Sequence, residues 1–246
     1  VGLITERICQ LKQWPYRIFG PRPKNLPTKK LLITEANLQF LTKLGITPTI
    51  QQHFSTLKIT QQHSFHHLQI SAQDYMQNNL CYAVEYADLV TTLITESCYT
   101  DANVKRVSIS ADKQAHITTS TEETYSSDLL MACDGSQSVA KIHTFSSSTL
   151  PTQYAHLITL DIEHTSGPSL MQRHANYQSN NITLGIIPGS PGMIIITSAT
   201  PIDHELTLEH IQSMIGHHYV ISNLGSQTKH HFTPELTTPC HLHPIL

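Results

Sequence analysis

Charge is scarce in this chain. Asp, Glu, Lys and Arg make up 13% of its 246 residues, and fifteen basic against eighteen acidic side chains leave a net charge of −3. With no basic surplus there is no electrostatic footprint for a nucleic-acid backbone, and nucleic acid is set aside as a partner. Neither a bilayer-long apolar run nor a secretory signal pattern occurs. The five cysteines (Cys9, Cys81, Cys98, Cys133 and Cys240) are odd in number, scattered and never spaced C-x-x-C. That argues against a zinc site or a disulfide framework and for reduced thiols in a cytoplasmic setting. Without H-E-x-x-H the seventeen histidines give no metal site, and without G-x-S-x-G Ser136 and Ser138 give little support to a hydrolase.

What is present suffices for one large domain or two small ones with a sizeable core, 39% of the residues being hydrophobic. Leu3, Ile4, Ile8 and Leu11 recur at helical spacing and predict a helix over 1–12. Thr34 as N-cap and Gly45 as stop bracket a second helix; Leu89, Leu93 and Ile94 signal a third, starting near Glu85. Strands are expected at 16–19, 55–60, 67–71, 104–109, 115–118 and 129–133. Beyond Thr149 the segments 155–162, 169–173, 182–187 and 193–197 read as successive antiparallel strands. Pro188-Gly189-Ser190-Pro191-Gly192 is the hairpin loop between the last two, followed by a helix over 206–215 and a strand over 227–232. The fold class is therefore mixed α/β, two interleaved lobes with an antiparallel sheet inserted late.

Residues 129–139, LLMACDGSQSV, are the most informative. They read as a buried apolar strand that stops at Asp134-Gly135 and turns into a Ser-rich helix start. Strand ends that feed helix N-termini bind ligands in α/β proteins, because backbone N–H groups there point outward without partners. Asp134 can accept from a ribose or other hydroxyl, and Gly135 admits a close backbone approach. A plain tight turn is the other reading.

Four patches, in order, carry a resemblance. They are Lys29-Lys30-Leu31-Leu32-Ile33-Thr34 with Leu41-Thr42-Lys43-Leu44-Gly45-Ile46; Ser71-Ala72-Gln73-Asp74-Tyr75 with Tyr82-Ala83-Val84-Glu85; Met131-Ala132-Cys133-Asp134-Gly135-Ser136-Gln137-Ser138; and Gln172-Arg173 ahead of Leu184-Gly185-Ile186-Ile187-Pro188. Together they resemble the class A FAD-dependent aromatic monooxygenases, above all the ubiquinone-biosynthesis branch of 2-polyprenyl-6-methoxyphenol hydroxylases. The resemblance implies an incomplete, discontinuous FAD-binding βαβ-type domain from 1–54 and 82–149. It implies an antiparallel-sheet substrate domain from 55–81 and 150–235, with 236–246 starting the return to the FAD domain. Gly2 would be the last glycine of the family's G-x-G-x-x-G. The strand and glycines before it, and the family's later G-D motif, have no counterpart here, so the chain is expected to be part of something longer.

The same resemblance implies FAD and NAD(P)H as cofactors, O₂ and a polyprenylated phenol as substrates, and hydroxylation within ubiquinone biosynthesis. Other enzymes of that biosynthesis would be partners, with peripheral contact at the inner membrane. Gly2, Lys29, Glu85, Asp134 and Gly135 fall on the cofactor side, Arg173 and Pro188 on the substrate side; no residue is singled out as catalytic, since the flavin carries the chemistry. Bland readings stand beside these: Lys29 as a solvated loop lysine, Glu85 as a helix cap, Arg173 as a surface strand residue. Three positions depart from the family. Gly20 stands where an acid is expected for the adenosine ribose, Lys29 where Arg is common, and His174 where an aromatic is common. A non-catalytic relative of this fold, acting as an assembly protein without flavin, is the alternative.

Overall fold

The computed structural model describes residues 2–21, 25–27, 29–94, 99–135, 138–140, 146–149, 151–164, 169–217, 219–233 and 235–238. In chain order they form α1 (Gly2–Lys12), β1 (Ile18–Phe19), β2 (Lys30–Thr34), α2 (Glu35–Lys43), β3 (Ile50–Phe54), β4 (Thr56–Gln61) and β5 (His67–Ser71). A 3-10 turn (Ala72–Tyr75) leads to β6 (Cys81–Glu85), α3 (Tyr86–Leu93), β7 (Tyr99–Thr100), β8 (Val104–Ile109), β9 (Ala115–Thr119), β10 (Thr124–Ser127) and β11 (Ser146–Thr149). The remainder is β12 (Gln153–His164), β13 (Leu170–Tyr177), β14 (Asn180–Ile187), β15 (Gly189–Ser198), α4 (Leu208–Ile215), β16 (Tyr219–Ser222), β17 (Gln227–Phe232) and β18 (Glu235–Thr238).

Local chemistry sets the helix ends. Thr34 Oγ1 accepts from the Asn37 N–H at 3.3 Å to start α2, and Gly45 (φ +73°) stops it. The α2 end is also held from outside, since Arg7 Nε of α1 donates to the Leu44 carbonyl at 2.8 Å. Thr207 and His210 cap α4 reciprocally. Leu3, Ile4 and Ile8 of α1 pack with Ile33, Leu41, Val84, Leu89 and Leu93, which ties the three N-terminal helices to the sheet β2-β6-β3.

The largest element is an eight-stranded sheet, β16-β12-β15-β14-β13-β4-β5, with β17 also paired to β12. It is antiparallel except where β13 runs parallel to β4. Period-two alternation gives its faces different tasks. From the long strand β12, Ile158, Leu160 and Ile162 enter a core with Leu184, Ile186, Ile194 and Ile196, sealed by Ile211, Met214 and Ile215 of α4. From the opposite face, Leu157, Met193 and Ile195 pack with Phe54, Cys81 and Ala83 of the three-stranded sheet. The eight-stranded sheet is thus sandwiched between α4 behind and the N-terminal lobe in front.

Several expectations need correction. Residues 129–133 are not a buried strand: Leu130 makes a single bridge, while Leu129 and Met131 are 50% and 43% exposed. Leu130 and Ala132 still turn toward Val107, Ile117 and Phe19, so alternation survives without a ladder. The parallel pairing available nearby is short, β1 and β7 contributing two residues each. The segment preceding it is a third meander strand, β10, which pairs with β9. The strand expected at 16–19 shortens to Ile18–Phe19. The hairpin loop expected over 188–192 contracts, because β15 begins at Gly189. Strands β3 and β6, unassigned from the sequence, form half of the lobe contact. The stretches 136–137 and 239–246 lie outside the described residues.

Candidate functional site

Two groups of candidate residues come together separately. The first is the Asp134 corner. Asp134 is exposed, and its Oδ2 accepts the Val139 N–H at 3.1 Å. The Ser138 N–H donates to the Gly135 carbonyl at 3.1 Å, which closes the turn. Gly135 sits at φ +81°, with no heavy atom within 4 Å of where a Cβ would be. A side chain here would be strained rather than blocked, and the space above the backbone is open. Gly2, the first residue of α1, lies against the same corner: a Cβ on it would be 3.5 Å from the Cys133 Cβ. The N-terminal end of α1 therefore lies beside the Asp134–Gly135 turn, and the positive end of a helix favours a negative group there.

The second group sits where the two lobes meet. Alternation along β2 and β6 puts Leu31, Ile33 and Val84 toward the helices and Lys30, Cys81, Ala83 and Glu85 toward the large sheet. Lys30 and Glu85 are directly opposite in register. Burial holds the Lys30 ammonium below its ordinary pKa, and the nearby Glu85 carboxylate counteracts this in part. Gly189, at φ +145° where a side chain would be strained, turns over Lys30: a Cβ on it would fall 2.9 Å from Lys30 Nζ and 3.2 Å from Gln52 Oε1. Pro188, beside it, is buried. Glu85 Oε2 accepts from Gln51 at 3.5 Å, whereas its Oε1 is buried without a partner. Burial also raises the neighbouring Cys81 thiol to about 11, so it stays protonated at neutral pH.

These geometries sort the sequence candidates. Glu85 occupies the N-cap position of α3 but makes no capping hydrogen bond; its carboxyl turns into the lobe junction instead. Lys29 is neither loose nor in the junction: its Nζ lies 4.4 Å from the centre of the Tyr86 ring. Lys30, Gln52 and Gly189 were missed, although the two-residue period of β2 would have pointed to Lys30. Arg173 is a correction. It shares the back face with Met171 and Ala175; its Nε donates to the Met214 carbonyl of α4 at 2.8 Å and its Nη1 to Thr60 at 3.3 Å. It pins α4 to the sheet and neither lines the front nor reaches the N-terminal lobe. Among the described residues, no hydrogen bond or ion pair joins Asp134 or Gly135 to Lys30, Gln52 or Glu85. No three His, Cys, Asp or Glu side chains among them converge to hold a metal ion, and no helix is long and apolar enough to cross a membrane.

No family model matches the sequence, and no curated protein matches it. Solved structures do. The chain is similar to Klebsiella pneumoniae HpxO complexed with FAD and uric acid, at 15% identity over 86% of this chain and 57% of that one, with a TM-score of 0.59. It is similar to aklavinone-11 hydroxylase in a ternary complex with FAD and aklavinone, at 12% identity over 99% of this chain and 54% of that one, TM-score 0.65. It is similar as well to the flavin-dependent monooxygenase PieE in complex with FAD and substrate, at 11% identity over 99% of this chain and 50% of that one, TM-score 0.68. The fold is therefore the mixed α/β fold of FAD-dependent monooxygenases, as expected from the sequence patches. This chain spans little more than half the length of those proteins.

Proposed function

We propose that this chain works as part of an FAD-dependent monooxygenase that takes electrons from NAD(P)H and hydroxylates a polyprenylated phenol in ubiquinone biosynthesis. One observation carries the reading: within this fold, Gly2 and the first turn of α1 lie against the Asp134–Gly135 corner, residues far apart in sequence that share an open edge. The corner fits an anionic, hydroxyl-rich cofactor. The positive end of α1 suits a pyrophosphate, the exposed Asp134 carboxylate suits a hydroxyl, and the Gly135 backbone allows close approach. FAD bound there would supply hydride acceptance and O₂ activation.

The remaining work falls to the chain's own groups. Lys30 and Glu85, under the Gly189 turn, offer a cation and an unsatisfied carboxylate oxygen at the lobe junction, suited to orienting a polar ring substituent. Lys29, held over the Tyr86 ring, stays outside this junction. Pro188, Leu157, Met193 and Ile195 supply apolar surface that keeps water from the junction. A polyprenyl tail would bring the protein to the inner-membrane surface, next to other enzymes of the same biosynthesis. The second reading, a flavin-free assembly protein, is favoured by Gly20, which leaves the end of β1 without a carboxylate.

The test is a titration of the protein with FAD, followed by flavin fluorescence, for the native sequence and for Asp134→Ala. The monooxygenase reading expects FAD uptake and an affinity loss of about tenfold or more in the variant, the scale of one charge-assisted hydrogen bond. No uptake by the native protein favours the assembly reading. Equal affinities remove Asp134 from the site.

A further inference from the structure

We propose that the back of the eight-stranded sheet carries a second binding site, for a small oxyanion, centred on His156 and Lys229. His156 is 3% exposed, and neither of its ring nitrogens has a hydrogen-bond partner. A neutral imidazole has one donor and one acceptor, and native interiors rarely leave both unmatched. The side chain lines a cavity of about 200 Å³ that Tyr154, Ser198, Asp203, Lys229 and His231 also border. That space equals about six or seven waters at roughly 30 Å³ each, enough for a carboxylate or phosphate group with part of its carrier.

Register brings the two basic groups together, since Lys229 of β17 is the direct partner of His156 in β12. Lys229 Nζ donates to the Asp203 carbonyl at 2.6 Å, which uses one of its three N–H groups. Among the described residues, no carboxylate lies within 4.0 Å of it. A lysine ammonium with no carboxylate partner among the described residues and a buried imidazole border one cavity, and an oxyanion would pair with the first and accept from the second. The site is separate from the proposed cofactor corner, because His156 shares the α4 face of β12 with Ile158 and Leu160.

Protons couple to this site. Burial, and then the charge of Lys229, hold the imidazole below its ordinary pKa, while Gln227 and the charge of Glu205 act the other way. The groups facing it are Lys229 and His231 from β17 and Asp203, His204 and Glu205 from the connection before α4, with His210 of α4 edge-on to His204. A bound anion reverses the balance and draws a proton onto the ring, so affinity rises as pH falls below 7.

The experiment uses the full chain with acetate and with inorganic phosphate as probes, at constant ionic strength set by chloride. Imidazole nitrogen resonances and calorimetry are read at pH 6.0 and pH 7.5. The expected result is a saturable shift of the His156 ring signals by at least one probe, with tighter binding and proton uptake at the lower pH. Acetate alone assigns a carboxylate ligand, phosphate alone a phosphorylated one. Lys229→Met, at an exposed position, should weaken binding about tenfold, and Asp203→Asn should tighten it. His156→Phe should abolish binding while raising the urea midpoint, because it removes an unpaired buried polar group. No saturable shift with either probe overturns the proposal, as does unchanged binding in Lys229→Met, whether or not His156→Phe folds.

Discussion

Behind the eight-stranded sheet, Ile158, Leu184, Ile194 and Ile211 are fully buried under α4; at the Asp134 corner, Leu129, Met131 and Cys133 stay exposed around a carboxylate that accepts from the Val139 N–H. The first region is held by area removed from water, about 25 cal/mol per Å². The second has little packing to lose and presents exposed polar groups, which is the condition for binding a polar ligand. If the corner binds the cofactor as proposed, stability and ligand chemistry are carried by different parts of the chain, and substitutions in the two should be separable.

The largest effect is expected in the back core. Ile211→Ala leaves a cavity beneath α4 and should cost about 2–5 kcal/mol in urea denaturation without touching FAD affinity. A loss under about 1 kcal/mol would mean that α4 is not sealing the sheet. Next comes Gly192→Ala, whose Cβ would fall 2.8 Å from the Ile187 carbonyl and 2.9 Å from Ile162. Overpacking of that kind costs about 1–3 kcal/mol, and a neutral result would show that β14 and β15 can spread.

At the corner, Gly135→Ala meets open space but a left-handed backbone, so about 1–2 kcal/mol of conformational strain is expected and no steric clash. Asp134→Ala, which removes one exposed hydrogen bond, should change stability by only about 0.5–1 kcal/mol while reducing FAD uptake. If its stability loss matched that of Ile211→Ala, the comparison between the two regions would fail.

The smallest effect is a pH slope. Burial lowers the pKa of His156, so as pH falls through the ordinary histidine value of about 6.5 the unfolded chain takes up a proton before the folded one. Stability is therefore lost across that interval, and the loss stops once pH passes the folded pKa. The difference between native and His156→Phe urea midpoints should grow from pH 7.5 to pH 5. A constant difference would show that the ring is not held neutral.

Much of this architecture was legible. Helical spacing and caps located α1, α2 and α4, and turn residues together with alternation located β8, β9 and β17, because those signals are local. The errors have physical causes. Residues 129–133 have the apolar run of a buried strand, but a strand needs neighbours to supply its ladder, and pairing is a property of the assembled sheet. Arg173 has no local mark to say whether it faces the N-terminal lobe or α4; a shift of one residue in register reverses the answer. Strand β6, CYAVE, is short and partly polar, and it becomes central only because β2 and β3 flank it. Gly2 and Asp134 were both named from sequence, whereas Lys30 and Gln52 emerged only when the Gly189 turn was seen above them.

The helices and their ends, strands β8, β9 and β17, and the Asp-Gly turn were determined by the sequence alone, since each depends on residues within a few positions of one another. Which face of each strand meets α4 or the N-terminal lobe was decided by tertiary structure. So were the approach of α1 to the corner, the Lys30–Glu85 pair and the enclosure of His156 beside Lys229. Those arrangements depend on strand register and on contacts between distant segments, which exist only when the whole chain buries its apolar surface together.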